Sequence, residues 1–172
     1  MDWFLNWWLK SARYGWSKFR RALCENNSRQ WQLPHVETLD EIQACLLQIT
    51  WTRDSFWHLY DSISYPQTVW KKKKDDCDGF AVLAAALLNQ WNPDTQPVLL
   101  TVIIRPIRSS HTVCVFKAPD GLMRYFDNAR LITEDYHGFG QIARQISLPP
   151  KRMVCWDVRQ WEDFSLIEFH QS

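Results

Sequence analysis

Ten consecutive residues, Gly79 to Leu88 (GFAVLAAALL), carry no polar side chain, and this run restricts the fold more than any other stretch. As a helix it is apolar on every side, which is stable in water only when other elements wrap it. It is also far too short to span a bilayer, which takes about 20 residues. The run therefore predicts a helix buried in the middle of a domain.

The flanks indicate what wraps it. Upstream, Thr38 and Glu41 form an S/T-x-x-E capping box, which predicts a helix over about 39 to 49 with Leu39, Ile42, Leu46 and Ile49 on one face. Residues 51 to 74 are aromatic-rich, include Pro66, and end in Lys71 to Lys74, which reads as a solvated turn or helix end. Downstream the period changes. PVLLTVIIR (97 to 105), HTVCVFK (111 to 117) and LMRYFD (122 to 127) are rich in β-branched and aromatic residues. The last two are joined by the turn signal Ala118-Pro119-Asp120-Gly121, which makes them a hairpin. Met153 to Val158 and Phe164 to Phe169 are further candidate strands. Helices first and strands afterwards predict an α+β domain in which the buried helix packs on an antiparallel sheet.

The first 23 residues interleave Trp3, Phe4, Trp7, Trp8, Phe19 and Leu23 with Lys10, Arg13, Lys18, Arg20 and Arg21 at roughly helical spacing. Such a segment can pack on its own domain, clamp a protein partner or lie on a membrane surface. Residues 25 to 35 are polar and contain a proline, so they read as a linker. The expected organisation is a Trp-rich basic arm and linker over 1–33 and a domain over 34–172 that folds without it.

With 172 residues, one core is the default, and a formal charge of +1 gives no whole-chain case for nucleic acid, so none is expected as a partner. The five cysteines (Cys24, Cys45, Cys77, Cys114, Cys155) form no CxxC pair, which argues against zinc-ribbon and thioredoxin-like chemistry. Cys45 and Cys114 lie in apolar stretches and read as small buried hydrophobes. His35, His58, His137 and His170 lack ligand spacing, and no GxGxxG loop occurs, so neither a metal nor another cofactor is expected. No secretory pattern opens the sequence, and the expected location is a reducing cytoplasm, with a particle such as a virion as the alternative.

Chemistry concentrates in Asp75-Asp76-Cys77-Asp78. A cysteine that opens a buried helix presents its sulfur to unpaired N–H groups and the positive end of the helix dipole, which favour thiolate. Asp75 and Asp76 suit helix capping, but their charges oppose the thiolate. His111 begins one hairpin strand and Asp127 ends the other. Their midpoint, 119, falls at the turn, so they are expected to be cross-strand neighbours. A thiol, an imidazole and a carboxylate supply the nucleophile, base and orienting group of covalent catalysis. The Cys77 N–H is the natural first oxyanion donor, with Gln67 and Trp70 as candidates for the second.

At these residues the chain resembles a known family. DDCDGFAVLAAALL is similar to the nucleophile helix of transglutaminase-like proteins, and HTVCVFKAPDGLMRYFDN resembles the hairpin of bacterial transglutaminase-like cysteine proteases. The segment ETLDEIQ…SISYPQTVW is similar to what precedes the cysteine in that family, so the likeness covers about 36 to 132. It implies a papain-like fold, a Cys77-His111-Asp127 triad and acyl transfer at a peptide or glutamine-type amide. Asp75 stands where the family usually has glycine, and Gly79 where it has a second acid. Both departures bear on the calcium site that some relatives build there. The rival expectation is a non-catalytic binding or assembly module, of a phage particle or directed at a host protein, that docks through its Trp-rich N-terminus.

Overall fold

The computed structural model describes residues 2–7, 13–15, 17–19, 32–52, 63–149 and 152–171. In chain order its elements are α1 (Asp2–Trp7), α2 (Leu39–Leu46), β1 (Thr50–Trp51), α3 (Pro66–Lys72), β2 (Lys74–Asp75), α4 (Cys77–Trp91), β3 (Val98–Arg105), β4 (His111–Lys117), β5 (Met123–Asp127), β6 (Arg130–Tyr136), α5 (Phe139–Ile146), β7 (Arg152–Gln160) and β8 (Leu166–Gln171). Residues 13–15 and 17–19 are also helical. The chain is mixed α+β. Six strands form one antiparallel sheet in the order β6-β5-β4-β3-β7-β8, and β1 and β2 form a short parallel pair.

The apolar run behaves as its composition requires. Every residue from Asp78 to Leu88 is buried, with α4 lying against β4 on one side and against α2 and α3 on the other. Its Phe80, Leu83 and Leu87 share a core with Leu99 and Ile103 of β3 and Cys114 and Phe116 of β4. Each large side chain buried this way stabilises the fold by about 1.5–3 kcal/mol relative to exposure. The opposite sheet face carries Leu100, Val102, Val113, Val115 and Tyr125 and is covered by Ile142 and Ala143 of α5. Cys45, Cys114 and Cys155 are buried and unbridged; Cys24, His58 and Trp8 lie outside the described residues.

Local signals account for the ends of the elements. Thr38 Oγ1 accepts the Glu41 N–H at 3.1 Å, as a capping box requires, but the Glu41 carboxylate takes the Glu37 N–H at 2.7 Å instead of that of Thr38. Lys71 and Lys72 close α3, and Lys73 ends it in the left-handed conformation at φ 54°. The hairpin turn places Gly121 at φ 84°, a conformation that favours glycine. No helix among the described residues is long and apolar enough to cross a membrane.

The N-terminal residues do not all lie on an arm. Trp3, Phe4 and Trp7 are exposed, while Arg13, Tyr14 and Ser17 are buried. They fill a polar row cut into the α4 face of the sheet. Thr101 of β3 is flanked in register by Thr112 of β4 and Asp157 of β7. The Tyr14 hydroxyl lies 3.1 Å from Thr101 Oγ1 and donates to Asp157 Oδ1 at 3.2 Å, and Arg13 Nη1 donates to Thr101 Oγ1 at 3.2 Å. Burial pushes Asp157 up to about 6, and the Arg159 guanidinium, 2.6 Å away, pulls against that rise. The Ser17 hydroxyl accepts the Ile63 N–H at 3.2 Å, joining this segment to the start of α3. The segment expected to be an arm over 1–33 thus contributes Arg13, Tyr14 and Ser17 to the buried interior, where they bond residues on the far side of residue 34.

A chain beginning at residue 34 should consequently melt well below the full chain. Breaking a buried ion pair such as Arg13–Asp78 costs about 3–5 kcal/mol by itself. Cooperative melting of the shortened chain at the parent temperature, followed by circular dichroism, would return the boundary to residue 34.

Candidate active site

Cys77 is the first residue of α4, and Asp76 caps the helix by accepting the Asp78 N–H at 3.1 Å. The cap thus takes the Asp78 donor and not that of Cys77, which, as a first-turn amide, has no intrahelical acceptor. Asp75 braces the cap in turn, accepting the Asp76 N–H at 3.0 Å. A Cβ on Gly79 would overlap the Asp75 side chain, well inside normal contact distance. Asp75 and Gly79 are therefore reciprocal: a side chain at 75 occupies the space that a side chain at 79 would need.

His111 and Asp127 meet at the same end of the sheet, with Nε2 and Oδ1 2.6 Å apart. The register centres on residue 120, with Cys114 opposite Phe126 and Lys117 opposite Met123. Carried on by one residue it sets Asp127 opposite Val113, so the pair is diagonal rather than directly cross-strand. The five-residue connection 118–122 moves the centre by one position, and diagonal neighbours still lie within reach of long side chains. With Nε2–H donating to the carboxylate, Nδ1 keeps its lone pair and can accept a proton. Asn128 Nδ2 lies 3.2 Å from the same Asp127 oxygen, and its backbone, at φ 52°, turns the chain from β5 into β6.

The Thr112 backbone N–H acts on the Cys77 sulfur, which puts the nucleophile candidate near the first residues of β4. The thiol's hydrogen bond goes to Asp78 Oδ1 at 3.9 Å, and among the described residues none joins it to the imidazole. Burial, then the charges of Asp78 and Asp76, hold the thiol well above its ordinary range, while the Thr112 N–H and Arg13 act in the opposite direction. The expectation of a helix-stabilised thiolate thus meets two carboxylates that oppose it. At neutral pH the group is a protonated thiol.

Gln67 and Trp70, the two candidate oxyanion donors, lie on α3, which packs against α4. Trp70 is packed against the apolar core with the Lys73 ammonium over its ring, a structural placement. Among the described residues no group of three histidine, cysteine or acidic side chains is placed to hold a metal ion. An open groove lined by Val115, Lys117, Trp161 and Ile167 lies at the far end of β4 and contains none of Cys77, His111 and Asp127.

Sequence reasoning missed Arg13 as part of this site. It is buried and paired with Asp78, the residue after the nucleophile candidate. A signal was present in Thr101 and Asp157, polar residues in the middle of otherwise apolar strands. No protein-family model matches the chain, and no curated protein matches it either.

The Asp75–Gly79 contact gives a direct test. Gly79→Ala gains about 1 kcal/mol of helix propensity, but overpacking of a buried site costs about 1–3 kcal/mol, so urea melts should show net destabilisation. Adding Asp75→Gly should recover most of the loss. A Gly79→Ala chain as stable as the parent would show that Asp75 does not fill that space.

Proposed function

We propose that this chain is a transglutaminase-like cysteine enzyme with a papain-type arrangement, transferring an acyl group from a peptide or glutamine-type amide through a thioester on Cys77. The observation that carries this reading is the His111–Asp127 pair, 2.6 Å apart, at the strand end where the Cys77 sulfur meets the Thr112 N–H. A protonated thiol needs a general base, and an imidazole held by a carboxylate is suited to that role. His111 takes the thiol proton as sulfur attacks the carbonyl carbon, and the Cys77 N–H faces the developing oxyanion. The imidazolium then protonates the departing amine, and the C–N bond breaks to leave the thioester. Water or an amine attacks next, giving its proton to His111, and the thiol is restored with release of an acid or a new amide. Asp127 holds the imidazole tautomer and stabilises its charged form throughout. The reducing interior of a cell suits a free nucleophilic thiol.

A second reading is a binding or assembly module that docks on a protein partner or a membrane surface. It is favoured by the exposure of Trp3, Phe4 and Trp7 on α1 and by the thiol's bond to Asp78 in place of His111.

p-Nitrophenyl acetate separates the two readings without knowledge of the natural substrate. The enzyme reading expects a burst of p-nitrophenolate with one acetyl group on Cys77, abolished by Cys77→Ala with little change in melting. His111→Ala should slow acetylation on the order of 10²–10⁴-fold. Acetylation of Cys77 no faster than that of a cysteine in an unfolded peptide, and unchanged by His111→Ala, would support the docking module instead.

A further inference from the structure

The Asp78 carboxylate is shared between two groups. Its Oδ2 pairs with Arg13 Nη2, and its Oδ1 accepts the Cys77 thiol at 3.9 Å. Arg13 and Asp78 are both almost completely buried, at 5% and 2% side-chain exposure, so water screens little of the charge between them. Arg13 is fixed from its other side as well, through Nη1 to Thr101, which touches Thr112 Oγ1 at 3.1 Å. Thr112 is the residue whose N–H faces the sulfur. The guanidinium therefore reaches the nucleophile's surroundings by two routes, one through the carboxylate and one through the strand.

We propose that Arg13 is a positioning residue for Cys77, drawing the charge of Asp78 away from the sulfur and holding the first turn of α4 against β4. The proposal rests on the reading of Cys77 as a nucleophile, and it makes the N-terminal segment part of the reactive centre. The groups facing the thiol define its electrostatics. Asp76 and Asp78 of α4 disfavour the thiolate, the Thr112 N–H of β4 and Arg13 of the N-terminal segment favour it, and His111 stands beside Thr112. Without Arg13 more of the charge of Asp78 acts on a sulfur one residue away, in a setting where burial already favours the protonated form. Asp78→Asn acts in the reverse direction, removing the opposing charge while keeping a polar side chain of the same shape.

The test is the rate of Cys77 alkylation by iodoacetamide against pH on the full chain, with each cysteine followed by peptide mass spectrometry. Below the thiol's pKa the rate follows the thiolate fraction, so a shift of one pH unit reads as about a tenfold change. Arg13→Met should move the Cys77 profile to higher pH by a unit or more, Arg13→Lys should stay near the parent, and Asp78→Asn should move it to lower pH. In the Asp78→Asn background, Arg13→Met should have a much smaller effect. A merely structural role gives the opposite sign, because a loosened fold exposes Cys77 and speeds its alkylation together with that of Cys45, Cys114 and Cys155. An Arg13→Met profile that is unchanged or moves to lower pH overturns the proposal, and if that variant does not fold, an unshifted Asp78→Asn profile does the same. The outcome is separable from the enzyme reading: shifts as expected here, alongside acetylation indifferent to His111→Ala, would remove the triad and leave the Arg13 assignment standing.

Discussion

Helix α4 has no face left for solvent between Asp78 and Leu88, and the rest of the fold is arranged around that burial. The sheet supplies one wall and helices α2 and α3 the other, so the helix axis cannot shift without disturbing both. Close packing of this kind is barely compressible and fixes the ends of the element it encloses. Cys77 inherits its position from that constraint. The helix starts at Cys77, and the Thr112 N–H acts on its sulfur from the second residue of β4, so the thiol lies toward the strand end that His111 opens.

The same burial creates an electrostatic problem at the helix start. Asp76 is needed as the cap, Asp75 braces it, and Asp78 is carried below the surface in the first turn. Two of these carboxylates, Asp78 and Asp76, act on the sulfur against the favourable helix dipole, which contributes only a fraction of a charge near the first turn. Arg13 answers the most buried of the three. That pairing ties residues far apart in sequence into one polar core with Tyr14, Thr101, Asp157 and Arg159. Buried polar networks are stable only when their members are satisfied, and this one is completed by residues of the N-terminal segment.

Sequence legibility tracked how local each cause was. The buried helix, the Thr38 cap and the hairpin could be read because apolar run, capping residue and turn glycine each act within a few positions. His111 and Asp127 could be paired by turn arithmetic, although the five-residue connection displaced the register by one. Strand β6 escaped notice because only Ile132 of its residues is buried, leaving no alternation to read. Helix α5 is eight residues long and buries only Ile142 and Ala143, a short signal after a proline-free loop. Arg13 looked like one more cation on a basic segment, since its partner lies 65 positions away. The polar residues at the centres of β3 and β7 recorded that a partner was required, but not which one.

The central claim is that Cys77, His111 and Asp127 work as one unit, and a double-mutant cycle on Cys77 acetylation by p-nitrophenyl acetate tests it most directly. If Asp127 acts only through the imidazole, the combined His111→Ala/Asp127→Asn chain should acetylate no more slowly than His111→Ala alone. Losses that multiply in the combined chain would show that the two residues act independently, and would contradict the account.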